Sequence, residues 1–153
     1  MELISKAIPD GSTIDKRYIE TGAGGENVSP DLTWSGAPEG TQSFALTCYD
    51  PDAPHEGGFW HWIVTDIAPT VTHLDENEVP PSPARQWESD YGKAPYGGPW
   101  PPKGWPHRYV FTVYALNEPS VIVEGAPRDF AAALDTNVHV LDSASFTGIY
   151  ETK

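Results

Sequence analysis

Between Asp75 and Pro106 the chain carries eight prolines, among them the pairs Pro80-Pro81 and Pro101-Pro102, and it shows neither a helical nor a strand period. Proline removes a backbone donor and fixes φ, so no helix interior or central strand runs through such a stretch. The same segment holds Trp87, Tyr91, Tyr96, Trp100 and Trp105, too much aromatic surface to leave in water. An ordered excursion of this length has to lie on something. It is expected to pack over a sheet and form one wall of a cavity.

The strands of that sheet flank it. Ser43 to Tyr49 alternates, with Phe44, Leu46 and Cys48 on one side. From Trp60 to Ile67, alternation places His61, Ile63, Thr65 and Ile67 on one face and Trp60, Trp62 and Val64 on the other. Both faces carry apolar bulk, so this strand is expected to be interior and covered on both sides. His107 to Leu116 is the clearest strand; His107, Tyr109, Phe111 and Val113 share a face, and Arg108 turns away. Leu3 to Ile8 reads as a first strand, Ser29 to Trp34 enters another, and Val121 to Val123 and Ser145 to Tyr150 supply two more. Pro127 to Leu141 is the one good helix. Pro127 suits its first turn, Asp129 its N-terminal end, and Phe130, Leu134, Val138 and Leu141 form an apolar stripe. No repeat or linker divides the chain, so residues 1–153 are expected to form one domain with a sizeable core.

Charge narrows the partners. Twenty-two acids against nine bases give a net charge of -13, which argues against nucleic acid or an anionic membrane as the main partner. No apolar run approaches membrane-spanning length, so no stable membrane insertion is expected, and the first residues lack the basic start and apolar core of a secretion signal. The single cysteine, Cys48, lies in an apolar run, excludes an internal disulfide and fits a reducing compartment. The expected location is cytoplasmic.

Polar chemistry is concentrated at strand ends. Asp50, Asp52, His55 and His61 fall within twelve positions. A phosphate-like anion needs hydrogen-bond donors more than bulk charge, and His61, His107, the Tyr109 hydroxyl and the N–H groups of the Gly97-Gly98 turn are candidate donors. Asp50 is expected to accept from one histidine nitrogen, fixing its tautomer. Asp52 is expected to bond its own turn, His55 to sit in a solvated loop, and Trp60 and Trp62 to be core. Two histidines and a carboxylate also resemble a facial metal set, so a metal-dependent or acid–base enzyme using Asp50, His61 and His107 is the alternative. Against it, the sequence has no Gly-x-Ser-x-Gly, His-x-His or His-Glu-x-x-His spacing. The expectation is a non-enzymatic binding module without metal or cofactor.

Several blocks together carry a family resemblance. Asp50-Pro51-Asp52-Ala53-Pro54, His61-Trp62, Tyr96 to Gly104 and His107-Arg108-Tyr109 resemble, in order and spacing, the signature blocks of the phosphatidylethanolamine-binding protein family. Its bacterial branch is also called Raf-kinase-inhibitor-like. Ser29 to Trp34 and Gly148-Ile149-Tyr150 resemble that family's early and C-terminal blocks. The resemblance implies a mainly β sandwich, with a large antiparallel sheet, a smaller second sheet and a few peripheral helices. It also implies a small pocket for phosphate or phosphoethanolamine-like headgroups or phosphorylated side chains, and a kinase or protease as an inhibited partner, the chain being monomer or homodimer. By motif, Asp50, His61, His107 and Tyr109 line that pocket, and Gly98 and Pro102 belong to its rim. Trp100 departs from the small residue usual before the Pro-Pro pair and would narrow the mouth or add a stacking wall. Ligand binding is expected to tighten as pH falls from about 8 toward 6, with both His61 and His107 titrating.

Overall fold

The computed structural model describes residues 1–153. Two antiparallel sheets face each other across one main core. The smaller has the order β1-β2-β5, with β1 at Glu2–Ile4, β2 at Leu32–Ser35 and β5 at His73–Leu74. The larger has the order β6-β4-β3-β7-β8, with β3 at Ser43–Asp50, β4 at Phe59–Ile67, β6 at Arg85–Trp87, β7 at His107–Leu116 and β8 at Val140–Tyr150. Leu3, Leu32, Trp34 and Leu74 of the small sheet bury against Phe44, Leu46, Trp62, Val64, Phe111 and Val113 of the large one. This is the mainly β sandwich expected, and its alternating strands are what a sheet with one inner face requires.

The outer face of the large sheet is covered in part by a short helix, α1, at Pro127–Ala132. Ala131 packs there on Trp60 and Ile63. The expected long helix to Leu141 does not form. After Ala132 the chain makes one 3₁₀ turn at Leu134–Thr136, Asn137 accepts from the His139 N–H, and Val140 enters β8. Pairing with β7 from Val140–Leu116 to Tyr150–His107 outweighs the helical stripe, leaving Val138 86 % exposed. The first strand is likewise cut short at Ile4. Asp31 accepts from the N–H groups of Lys6 and Ala7 and from the Ser5 hydroxyl, turning the chain out of the sheet. Val121 to Val123 is loop, because the Val121 N–H is taken by Asp66. Within the excursion one short strand, β6, was not legible; it pairs onto β4, where Trp87 Nε1 donates to the Thr65 hydroxyl at 2.9 Å and Gln86 Oε1 accepts from Trp62 Nε1 at 2.8 Å.

Two irregularities in β4 reset its faces. Trp60 pairs with Tyr49 and Trp62 with Cys48, so His61 is an extra residue, a β-bulge. Asp66 lies at φ 60, and beyond it Ile67 pairs with Phe44. As a result Trp62, Val64 and Ile67 share the main core while Trp60 and Ile63 face α1. The simple alternation, which grouped His61 with Ile63 and Ile67, does not hold.

Asp66 is only 5 % exposed and accepts from the Ser120 hydroxyl at 2.8 Å and the Val121 N–H at 3.0 Å. Aspartate and asparagine tolerate the left-handed conformation that alanine resists. Asp66→Ala is expected to cost about 2 kcal/mol, by orphaning a buried N–H as well as straining the bulge. Asp66→Asn, which keeps an acceptor, should cost less than half of that. Guanidinium denaturation midpoints of the two variants check it.

Candidate functional site

Antiparallel pairing of β3 with β7 runs to Tyr49 opposite Val110, which brings the end of β3 against the start of β7. Two carboxylates stitch that junction. Asp50 Oδ1 accepts from the Asp52 N–H at 2.7 Å, and Oδ2 accepts from His107 Nδ1 at 2.6 Å. Asp52 in turn accepts from the Arg108 backbone N–H at 2.9 Å and from its guanidinium at 2.8 and 3.0 Å. Asp52 is therefore an ion-pair partner across the junction, where the sequence suggested a local turn. The Arg108 guanidinium holds the Asp52 carboxyl below the usual carboxylate range, and alternation does turn Arg108 outward.

With Nδ1–H committed to Asp50, His107 presents Nε2 as its one free atom. That nitrogen and the Tyr109 hydroxyl are both buried and have no hydrogen-bond partner. Each residue is only 1 % exposed. Burial, reinforced by the charge of Asp50, pushes the Tyr109 phenol well up, so it stays an O–H donor. Unpaired buried polar atoms cost free energy, and two beside each other mark a place built for something else to bond.

The bulge aims His61 at the same place. Its ring lies 5.2 Å from that of Tyr109, and Nδ1 donates to the Gly97 carbonyl at 2.7 Å. A carbonyl oxygen only accepts, so the proton of the neutral ring is on Nδ1 and Nε2 is a bare acceptor. Burial lowers the His61 pKa to about 4, with nearby His107 adding to it against the raising effect of the Gly97 and Gly98 carbonyls. His61 is neutral between pH 6 and 8, and the expectation that both histidines titrate there is corrected.

Asp50, His61, His107 and Tyr109 line one cavity of about 240 Å³. The Pro-rich excursion supplies the opposite wall with Tyr91, Trp100, Pro101 and Pro102. Trp100 is half-exposed at the rim and packs on Gly22, where a Cβ would lie 2.3 Å from the indole. It thus adds a wall to the mouth. The Gly97-Gly98 turn does not offer its donors: the Gly97 N–H goes to the His61 carbonyl at 3.1 Å and the Gly98 N–H to Asn27 Oδ1 at 2.7 Å. Gly98 serves through space instead, since a Cβ there would lie 2.2 Å from the Tyr18 carbonyl.

Sequence reasoning missed several lining residues. His55 sits on the rim, beside the Arg128 guanidinium, and Phe59 and Tyr91 close the side. Trp105 stacks on the His107 ring with centroids 5.8 Å apart. The aromatic richness of the excursion was the available signal for Tyr91 and Trp105; nothing local distinguishes His55. A larger cleft of about 350 Å³ shares Tyr91 and Trp100 but contains none of the unpartnered buried atoms. No group of three or more His, Cys, Asp or Glu side chains is arranged to hold a metal ion, and both Asp50 oxygens are already engaged.

A two-sheet β sandwich with a small cavity at the β3–β7 junction defines the class. The profile of the family described as phosphatidylethanolamine-binding protein matches residues 4–151, and the chain belongs to that family. It is 38 % identical to protein YbhB of Escherichia coli K12 over 98 % of this chain and 99 % of that one. With E. coli YbcL it shares 40 % identity, and the crystal structure of YbcL, described as a member of the mammalian PEBP family, superposes with a TM-score of 0.90 over 99 % of this chain and 98 % of that one. The structure of a homologue from Chlamydia trachomatis matches at TM-score 0.84 and 32 % identity, covering 99 % and 97 % of the two chains. A carboxypeptidase Y inhibitor, solved in complex with its cognate proteinase, shares the fold at TM-score 0.58 and 22 % identity, with 97 % and 80 % covered. No helix is long and apolar enough to cross a membrane.

The neutral, buried state of His61 has a consequence for acid stability. Its folded pKa, about 4, lies below the unfolded value of about 6.5, so the unfolded chain binds more protons between them. Stability should therefore fall as pH drops from about 6.5 to about 4, by on the order of 3 kcal/mol from this residue. His61→Asn should flatten that part of the stability–pH curve, measured by denaturant titration across the range.

Proposed function

We propose that the chain is a non-enzymatic binding module whose pocket takes the phosphate group of a small ligand, a lipid headgroup or a phosphorylated side chain. The observation that carries this reading is the pair of buried, unpartnered polar atoms, His107 Nε2 and Tyr109 Oη, facing one cavity. Asp50 accepts from His107 Nδ1 at 2.6 Å and fixes the ring's orientation; when the ring is doubly protonated, Nε2 is a charge-assisted donor facing the cavity. Tyr109 supplies the second donor, and Trp100, Pro101 and Pro102 exclude water from above. Trp100 and Pro102 also set which substituent on the phosphate fits, and Gly98 keeps that wall seated. Membership of a family named for binding phosphatidylethanolamine supports a headgroup-sized ligand.

A protein partner is the second part of the proposal. The inhibitor of carboxypeptidase Y engages its proteinase with the same fold, which supports an inhibitory role toward a kinase or protease for this chain. The enzyme alternative has less support: Asp50 is spent on positioning, and no serine, cysteine or lysine lines the pocket to act as nucleophile.

Because the Nδ1–H of His107 already serves Asp50, an anion oxygen bonds Nε2 only when the ring is doubly protonated. Binding of inorganic phosphate should therefore tighten as pH falls and draw close to one proton onto that ring, counted beyond the protons that phosphate itself gains. Calorimetry in buffers of different ionisation enthalpy measures that uptake directly. His107→Ala should weaken phosphate by about 1.5–3 kcal/mol and remove the uptake. Affinity that is flat with pH and unchanged in His107→Ala would refute the anion site.

A further inference from the structure

The pocket is not a uniform ring of donors. His107, when cationic, and Tyr109 donate, but His61 presents a lone pair, because its Nδ1–H is held by the Gly97 carbonyl. The Gly97 and Gly98 N–H groups are both engaged elsewhere. A fully deprotonated oxyanion seated here would set an oxygen lone pair against the His61 Nε2 lone pair in a buried site, where such a mismatch is costly. A ligand with one hydroxyl among its oxygens satisfies all three groups at once.

We propose that this pocket selects oxyanions that carry a proton, the ligand P–OH donating to His61 Nε2 while its unprotonated oxygens accept from His107 Nε2–H and the Tyr109 hydroxyl. This deepens, and rests on, the anion-pocket reading above. Within that reading the ligand class narrows to hydrogenphosphate and to phosphomonoester or phosphonate monoanions, a free phosphoethanolamine headgroup included, rather than sulfates, sulfonates or the phosphodiester of an intact phospholipid. The groups that face His61 are Tyr91, Tyr109 and Phe59 by ring contact and His107 across the cavity. Those that face His107 are Asp50, Trp105 and, through the junction, Asp52 with its partner Arg108. Burial also pushes the Tyr91 phenol up, so none of the tyrosines becomes an acceptor anion in the neutral range. The low charge state of the ligand also suits a chain of net charge -13.

Two matched pairs of probes test this by calorimetry on the full chain. Inorganic phosphate keeps at least one hydroxyl throughout the neutral range and sulfate keeps none. Methylphosphonate and methanesulfonate share one shape and, at about pH 6, one charge, and differ by the proton. Phosphate is expected to bind about tenfold or more tighter than sulfate, and methylphosphonate to exceed methanesulfonate by a similar factor, with both ratios persisting at about 0.5 M NaCl, where long-range repulsion is screened. In His61→Asn, whose amide can still donate to the Gly97 carbonyl, both ratios should shrink to about threefold or less. Equal binding within each pair in the natural chain, with all four ligands weakened by His107→Ala, would overturn proton selection and leave the anion pocket standing. Failure of all four to bind, or binding indifferent to His107→Ala, would overturn the pocket reading and this inference together.

Discussion

The structure depends most on the buried contact between Asp50 and His107, 2.6 Å long and almost wholly removed from solvent. Burying a carboxylate is expensive unless each oxygen is bonded, and here both are, one by the Asp52 N–H and one by the imidazole. The pair therefore fixes three things together: the meeting of β3 with β7, the tautomer of His107, and the direction in which Nε2 looks. Asp52 and Arg108 repeat the stitch on the exposed side, where an ion pair contributes little energy but keeps the turn after β3 in register.

The remaining parts of the pocket are arranged around that fixed point. A bulge in β4 carries His61 to the cavity, and the Pro-rich excursion closes the opposite side. The excursion is tied to the sheets and loops by side-chain hydrogen bonds, such as the Tyr96 hydroxyl to the Tyr18 carbonyl at 2.9 Å and the Gly98 N–H to Asn27 Oδ1 at 2.7 Å, and braced internally by the Tyr91 hydroxyl on the Gly98 carbonyl at 2.7 Å. Its prolines limit the unfolded chain as much as they shape the folded one, which suits a wall that must keep one form with only the three-residue β6 as a ladder.

Much of the fold was legible because strand periodicity is a local signal. β3 and β7 could be read within a residue or so, and the aromatic content of the excursion foretold that it packs. What failed, failed for non-local reasons. The helix beyond Ala132 lost to an open edge on β7, which no window around Val138 reveals. The faces of β4 changed at His61 and Asp66, and the side chain of a bulge cannot be placed from alternation. The motif blocks still named Asp50, His61, His107 and Tyr109 together, whereas the proton state of each ring and the engaged N–H groups of Gly97 and Gly98 emerged only from the three-dimensional contacts.

The central claim is that two histidines in one pocket play opposite hydrogen-bonding roles. Nitrogen-15 NMR of the imidazole rings, recorded from about pH 8 to 5.5 with and without inorganic phosphate, reads those roles atom by atom. The account predicts that His61 stays neutral with its proton on Nδ1 in every spectrum, and that phosphate converts His107 to the doubly protonated ring. A His61 ring protonated on Nε2, or a His107 ring indifferent to phosphate, would contradict it.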